Sequence, residues 1–194
     1  MFSESIERLL NITLEDRLRA RINNSARRQR FLAGDTVLRE GDRYSCLYLL
    51  QKGIVRGYYI DSQGNDMTKC FSCEGDVFCS EGLRSSGPAT FTIECLEDCE
   101  CVAMPCGLVH EIMDTEPRVA CAISRLFEQE VGRLEKRSRD LMMKNAEERY
   151  LLFCEEYPEL HHRVALKHIA SYIGVRIASL SRIRRQLKNH AKLT

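Results

Sequence analysis

Gly174 lies between two stretches of helical periodicity, and that interruption constrains the chain more than any other feature. Upstream, Leu166, Ile169, Ala170 and Ile173 recur at helical spacing; downstream, Leu180, Ile183 and Leu187 resume it. Glycine adopts a positive φ without steric cost, so the pattern predicts two short helices around a tight turn. Ala170 has almost no side chain, which lets the second helix cross close over the first, and Val175 can plug the corner between them. With the apolar positions inward, the second helix turns Ala178, Ser179, Arg182, Arg185 and Gln186 toward solvent. Small residues and guanidinium groups on one helix face suit a DNA major groove, where arginine pairs in bidentate fashion with guanine.

The charge distribution points the same way. The 194 residues carry a net charge of +1, yet from His161 to Thr194 there are eight basic residues and no Asp or Glu. This tail is +8 and the preceding 160 residues are −7. The tail is drawn to a phosphate backbone and the body is repelled by it, so the expected partner is double-stranded DNA.

Ahead of the tail the rhythm changes twice. Residues 4–10 and 14–22 have helical spacing, with Thr13 and Asp16 in the positions of a capping box. From Arg28 to about Pro105, short segments rich in Val, Ile, Leu, Tyr and Phe alternate with turns at Gly34, Gly41, Gly53, Gly64 and Gly75. That is the pattern of an antiparallel roll or jelly roll. From Val119 to Leu141 an apolar stripe (Val119, Ile123, Phe127, Val131, Leu134, Leu141) runs along an otherwise charged helix. It either lies on its own roll or pairs with its copy in a second subunit; a position between two domains favours a homodimer. A further helix over Glu147–Glu156 starts at Asn145 or Ala146 and is stopped by Pro158.

The segment "HIASYIGVRIASLSRIRRQL" resembles the helix-turn-helix of the Crp/Fnr superfamily of bacterial transcription regulators. "FLAGDTVLREGDRYSCLYLLQKGIVRGYYIDSQGNDMTKCFSCEGDVF" resembles that superfamily's cyclic-nucleotide-binding β-roll. The resemblance covers nearly the whole chain. It implies an α+β architecture: an N-terminal double-stranded β-helix sensor over residues 1–116, a dimerisation helix over 117–143 and a helix-turn-helix DNA-binding domain over 144–194. It also implies a homodimer reading a pseudo-palindromic site and working with RNA polymerase. Arg182 is the expected base contact, with Ser179 and Ala178 beside it, and Lys167, Arg176, Ser181 and Arg185 contact phosphates. In the superfamily's cyclic-AMP-responsive members an Arg-Glu pair opens the recognition helix; here Ile177-Ala178 stand there, so the operator is expected to differ and to offer thymine methyl groups as contacts.

The same resemblance argues against a cyclic nucleotide as effector. The cyclic-nucleotide binders hold phosphate with a Gly-Glu pair and an Arg-Ser pair, and the corresponding positions here are Cys79-Ser80 and Ala89-Thr90. A phosphate buried there would lack its cation. The purine-contacting positions of the dimer helix read Leu134 and Glu135. The expectation is an unidentified small-molecule effector among Cys79, Ser80, Glu81, Arg84 and Thr90, or a vestigial pocket.

Ten cysteines, a start without a basic-then-apolar leader and no run of about 18 apolar residues indicate a cytoplasmic protein with free thiols and no membrane contact. Cys70, Cys73 and Cys79, and Cys95, Cys99, Cys101 and Cys106, are close in sequence. On a strand Cys99 and Cys101 share a face, and packing, thiol redox chemistry or a metal site would each use them. Residues 1–45 contain no cysteine, whereas the cluster-bearing relatives carry their quartet ahead of the roll, so no metal ligands or cofactor are assigned.

Catalytic readings find no support. Gly82 and Gly87 have phosphate-loop spacing, but Pro88-Ala89 follow where Lys and Ser or Thr are required. All five histidines (His110, His161, His162, His168, His190) fall beyond the roll, which leaves a cupin-like centre without ligands. His161 and His162 read as exposed linker residues, and His168 as a backbone or phosphate contact. Two alternatives remain: a thiol- or metal-based redox regulator, and a regulatory subunit whose basic tail binds another protein rather than DNA.

Overall fold

The computed structural model describes residues 2–43, 46–79 and 87–190, His190 without its side chain. The described chain is α+β. Helices α1 (Phe2–Leu10) and α2 (Asp16–Ser25) precede eight strands: β1 (Arg27–Phe31), β2 (Thr36–Leu38), β3 (Cys46–Lys52), β4 (Val55–Ile60), β5 (Asp66–Ser72), β6 (Val77–Phe78), β7 (Thr92–Cys95) and β8 (Cys99–Pro105). Then come α3 (Cys106–Thr115), the long α4 (Pro117–Met143), α5 (Ala146–Glu156), the short α6 (Leu160–Arg163), α7 (Leu166–Tyr172) and α8 (Ile177–His190). Two compact units divide the chain. The first comprises 1–59 and 70–131, and the second comprises 60–69 and 132–194.

In the first unit the strands form two four-stranded sheets, ordered β1-β8-β3-β6 and β2-β7-β4-β5. The β8 strand shows how the sequence alternation becomes two cores. Cys99 and Cys101 point between the sheets, with Leu50, Val55, Phe78, Phe91 and Ile93. Val102 and Met104 point the other way, against Ile6, Leu18, Ile22, Val109, Ile112 and Val119 of the helices. The expected shared face of Cys99 and Cys101 is therefore present, and both thiols are core residues. At Gly57 the backbone comes so close to a neighbour that an added Cβ would lie 2.8 Å from the Phe91 ring and 2.9 Å from Cys70 Sγ.

The capping box expected at Thr13 and Asp16 is not formed. The N-cap of α2 is Glu15, without a side-chain bond. Glu7 organises this corner instead: its carboxylate accepts from the Leu14 N–H at 2.7 Å and from Arg19 Nη2 at 2.7 Å. The Leu14 N–H, and then Arg19, hold the Glu7 carboxyl below its ordinary range. The helix starts later than the spacing suggests, at Asp16, so Thr13 is not its N-cap.

A buried ion pair crosses from β4 to β7. Arg56, 2% exposed, donates through Nε to Glu94 and lies 4.4 Å from the Tyr58 ring centroid. Removing one partner strands the other charge in a low-dielectric interior. Glu94→Gln is expected to lower stability by about 3 kcal/mol, and the Arg56→Met/Glu94→Leu pair to recover most of that loss. Denaturant unfolding of the three proteins measures it; equal losses in the single and double variants would contradict the expectation.

Candidate nucleic-acid interface

The second unit is built around the turn from α7 to α8. Gly174 has φ of 69°, the left-handed conformation that costs other residues about 1–2 kcal/mol. The Val175 N–H donates to Ala170 O at 2.9 Å and the Gly174 N–H to Ser171 O at 3.2 Å. This pair of bonds is a Schellman motif, and it brings half-buried Val175 back over Ala170. Beyond it, Leu180 is fully buried and Ile183 is 8% exposed. Their burial fixes the rotation of α8, leaving Ala178, Ser181, Arg182, Arg185 and Gln186 exposed. Ser179, expected in solvent, is half-buried. Lys167 and Arg176 are exposed, and the first turn of α8 contains no acidic residue.

Two arginines and a serine that sequence reasoning did not select hold this unit together. Arg149 donates from Nε to Ile173 O at 2.8 Å and from Nη1 to Lys144 O at 2.6 Å. It thereby joins the carbonyl ends of α7 and α4, where a cation also meets the negative pole of each helix. Arg137 donates from Nη2 to Tyr172 O at 2.9 Å and to Thr68 O at 3.1 Å, and stacks 4.4 Å from the Tyr172 ring centroid. Ser171 accepts from the Thr68 N–H at 2.8 Å and donates to Asp66 O at 3.2 Å. The tip of the β4–β5 hairpin is thus part of the same unit. The partners of Ser171 are more than one hundred residues away in sequence, which explains why periodicity alone could not find them.

Asn145 caps α5 by accepting from the Glu147 and Glu148 N–H groups, and Glu148 completes the box by accepting from the Asn145 N–H. The helix ends at Glu156, ahead of Pro158 as expected. Phe153, Tyr157 and Tyr172 form an aromatic cluster with centroids 5.4–6.0 Å apart. Burial is the main cause of a raised Tyr157 pKa, so its hydroxyl stays protonated across the physiological range.

His162 is exposed as expected, while other expectations about the histidines need correction. His168 is 5% exposed, packed beside Ile169 and Ala170, and is too deeply buried to reach a DNA phosphate. His161 and His162 belong to α6 rather than to a linker, and His161 is half-buried with its ring 3.7 Å from that of His162. Leu160 and Val164, four residues apart and both buried, lie on the inward face of this turn.

In the first unit, Ser80, Glu81 and Arg84 lie outside the described residues. Cys79 is half-buried and Thr90 exposed. Ala89 is 3% exposed and tied by backbone bonds to Gly41 and Asp42, so a methyl group stands at one of the positions where the cyclic-nucleotide binders carry their Arg-Ser pair. Cys95, Cys99, Cys101 and Cys106 are buried. Burial pushes the Cys101 thiol up to about 12 and that of Cys106 to about 11. Neither supplies the thiolate that redox or metal chemistry requires. Among the described residues, no three His, Cys, Asp or Glu side chains converge to hold a metal ion. No helix among them is long and apolar enough to cross a membrane.

Residues 28–116 match the family profile of the cyclic nucleotide-binding domain. A fumarate and nitrate reduction regulatory protein of Shigella dysenteriae is 24% identical over 165 residues, which cover 77% of this chain and 64% of that protein. The chain therefore spans less than two-thirds of that relative. The structure of FixK2 from Bradyrhizobium japonicum matches with a TM-score of 0.79 at 22% identity, covering 86% of both chains. That of CLP, a c-di-GMP-responsive global regulator of Xanthomonas campestris, matches with a TM-score of 0.72 at 16% identity over 97% of this chain and 93% of CLP. Both share the fold described above.

The burial of the β-roll cysteines has a direct chemical consequence. Alkylation of native protein at about pH 8 is expected to leave Cys95, Cys99, Cys101 and Cys106 unmodified and to label exposed Cys121. Mass spectrometry of the digest checks this, and rapid native labelling of Cys101 or Cys106 would contradict it.

Proposed function

We propose that the chain is a member of the Crp/Fnr superfamily and a homodimeric, DNA-binding transcription regulator. Residues 1–116 serve as sensor, 117–143 as dimerisation helix and 144–194 as DNA reader. The observation that carries this reading is the exposed, cationic, small-residue face of α8, seated on buried Leu180 and Ile183 and held by the Gly174 turn. Arg182 reads a base edge with Ser179 and Ala178 beside it, while Lys167, Arg176, Ser181 and Arg185 fix register on phosphates.

Support for the dimer comes from α4. Val119 and Ala122 are buried within the first unit, but further along the same stripe Val131 is 43% and Leu141 38% exposed. A second copy would cover that edge by a two-fold contact, which also matches paired half-sites in the operator. The effector is a small molecule other than cyclic AMP, and RNA polymerase is the further partner. The buried β-roll cysteines give no support to a thiol- or metal-sensing variant of this function.

Electrophoretic shifts with duplex DNA are expected to weaken by about a decade or more between about 50 and 200 mM salt. Arg182→Ala is expected to cost about 1–3 kcal/mol on the selected site and to relax preference at one base pair. An equal loss on random duplex would make Arg182 a phosphate contact, and salt-independent or absent binding would contradict the function. Calorimetric titration with cyclic AMP and cyclic GMP is expected to show no micromolar binding.

A further inference from the structure

The first turn of α8 presents hydrocarbon where a groove-reading helix commonly presents hydrogen-bonding groups. The helix begins directly after the Gly174 turn, with Arg176 O accepting from the Ser179 and Leu180 N–H groups. Ile177 is its first residue and is 50% exposed, and Ala178 beside it is exposed as well. Ile177 is not a core residue, since Leu180, three positions on, is the side chain that seats the helix and is fully buried. Nor does helix formation call for it: a β-branched residue loses rotamer freedom in a helix and supplies no capping oxygen. A large apolar side chain is left half in water at the end of the helix that a helix-turn-helix offers to base edges.

Resting on the DNA-reading function proposed above, we infer that Ile177 and Ala178 select thymine by contact with its 5-methyl group. The thymine methyl is the one hydrocarbon group that the four bases display in the major groove. The selection has two parts. Methyl-to-methyl contact removes apolar surface from water when thymine is present. Cytosine and adenine place amino N–H groups in the groove, and covering these with aliphatic side chains strips their water without offering an acceptor. The first turn holds no carboxylate to supply one, so the arrangement favours thymine and rejects the amino-bearing bases. The Arg182 guanidinium, one turn further along, is left to read the neighbouring pair.

The test uses DNA chemistry rather than protein damage. A high-affinity site is selected from random duplexes, and each thymine is then replaced singly by uracil, which keeps O4 and the base pairing and loses only the methyl. At one or two thymines in each half-site, next to the base pair at which Arg182→Ala relaxes preference, uracil is expected to weaken binding about fourfold. That factor corresponds to one buried carbon, about 0.8 kcal/mol, at about 1.4 kcal/mol per tenfold. Ile177→Ala, at an exposed position that folding does not depend on, is expected to bring the thymine-to-uracil ratio at one of these positions close to one while leaving the salt dependence unchanged. A selected site whose affinity is the same with uracil at every position would overturn the inference and leave the DNA-reading function standing. So would an Ile177→Ala variant that retains the whole fourfold difference. If no duplex binds at all, both fall together.

Discussion

The left-handed residue at Gly174 is the constraint on which the second unit depends. A helix-turn-helix needs its chain to reverse within a few residues while the carbonyls at the end of the first helix keep partners. A φ of 69° at Gly174 achieves the reversal, and the bonds from Gly174 and Val175 satisfy Ser171 O and Ala170 O. The next two carbonyls, of Tyr172 and Ile173, are taken by Arg137 and Arg149. The end of α7 is therefore closed by two main-chain donors and two guanidinium groups, so α8 leaves the turn in one defined direction. An added Cβ at Gly174 would meet the Leu141 side chain at 3.1 Å as well as the unfavourable φ.

In the first unit the organising constraint is the two-residue period of the strands. Alternate side chains of β8 feed separate cores, so small thiols at Cys99 and Cys101 pack between the sheets while Val102 and Met104 receive the helices. The close approach of Phe91 to Gly57 fills the space where a side chain on β4 would otherwise stand. Arg56 and Glu94 bring charge into this largely apolar interior, each tolerated because the other is present. The interior between the sheets is accordingly one of packing, crossed by the Arg56–Glu94 pair. Burial holds the Cys101 and Cys106 thiols protonated.

The parts of this fold that were legible in the sequence are those set by local periodicity and backbone chemistry. The Gly174 turn, the inward teeth of α8, the shared face of Cys99 and Cys101, the start of α5 beside Asn145 and its stop before Pro158 all follow from spacing within a few residues. What escaped was decided by partners distant in sequence. The α1–α2 corner is tied by Glu7 to Leu14 and Arg19, Arg137 read as one of many charges flanking a long helix, and the hairpin tip reached Ser171 from over one hundred residues away. His168 was offered to a phosphate because polarity was weighed above its place beside Ile169 and Ala170, where the helix turns toward the core. Ile177, which the resemblance placed at the opening of the recognition helix, is half exposed.

The central claim is that two copies of α8, related by a two-fold axis, enter the grooves of one duplex. Hydroxyl-radical footprinting of the protein on a selected site tests this most directly, because it reports where each copy meets the backbone. The account predicts two matching protected patches whose centres are one helical turn apart, about 10 base pairs, or a whole multiple of it. A single unpaired patch, or uniform protection along the duplex, would contradict it.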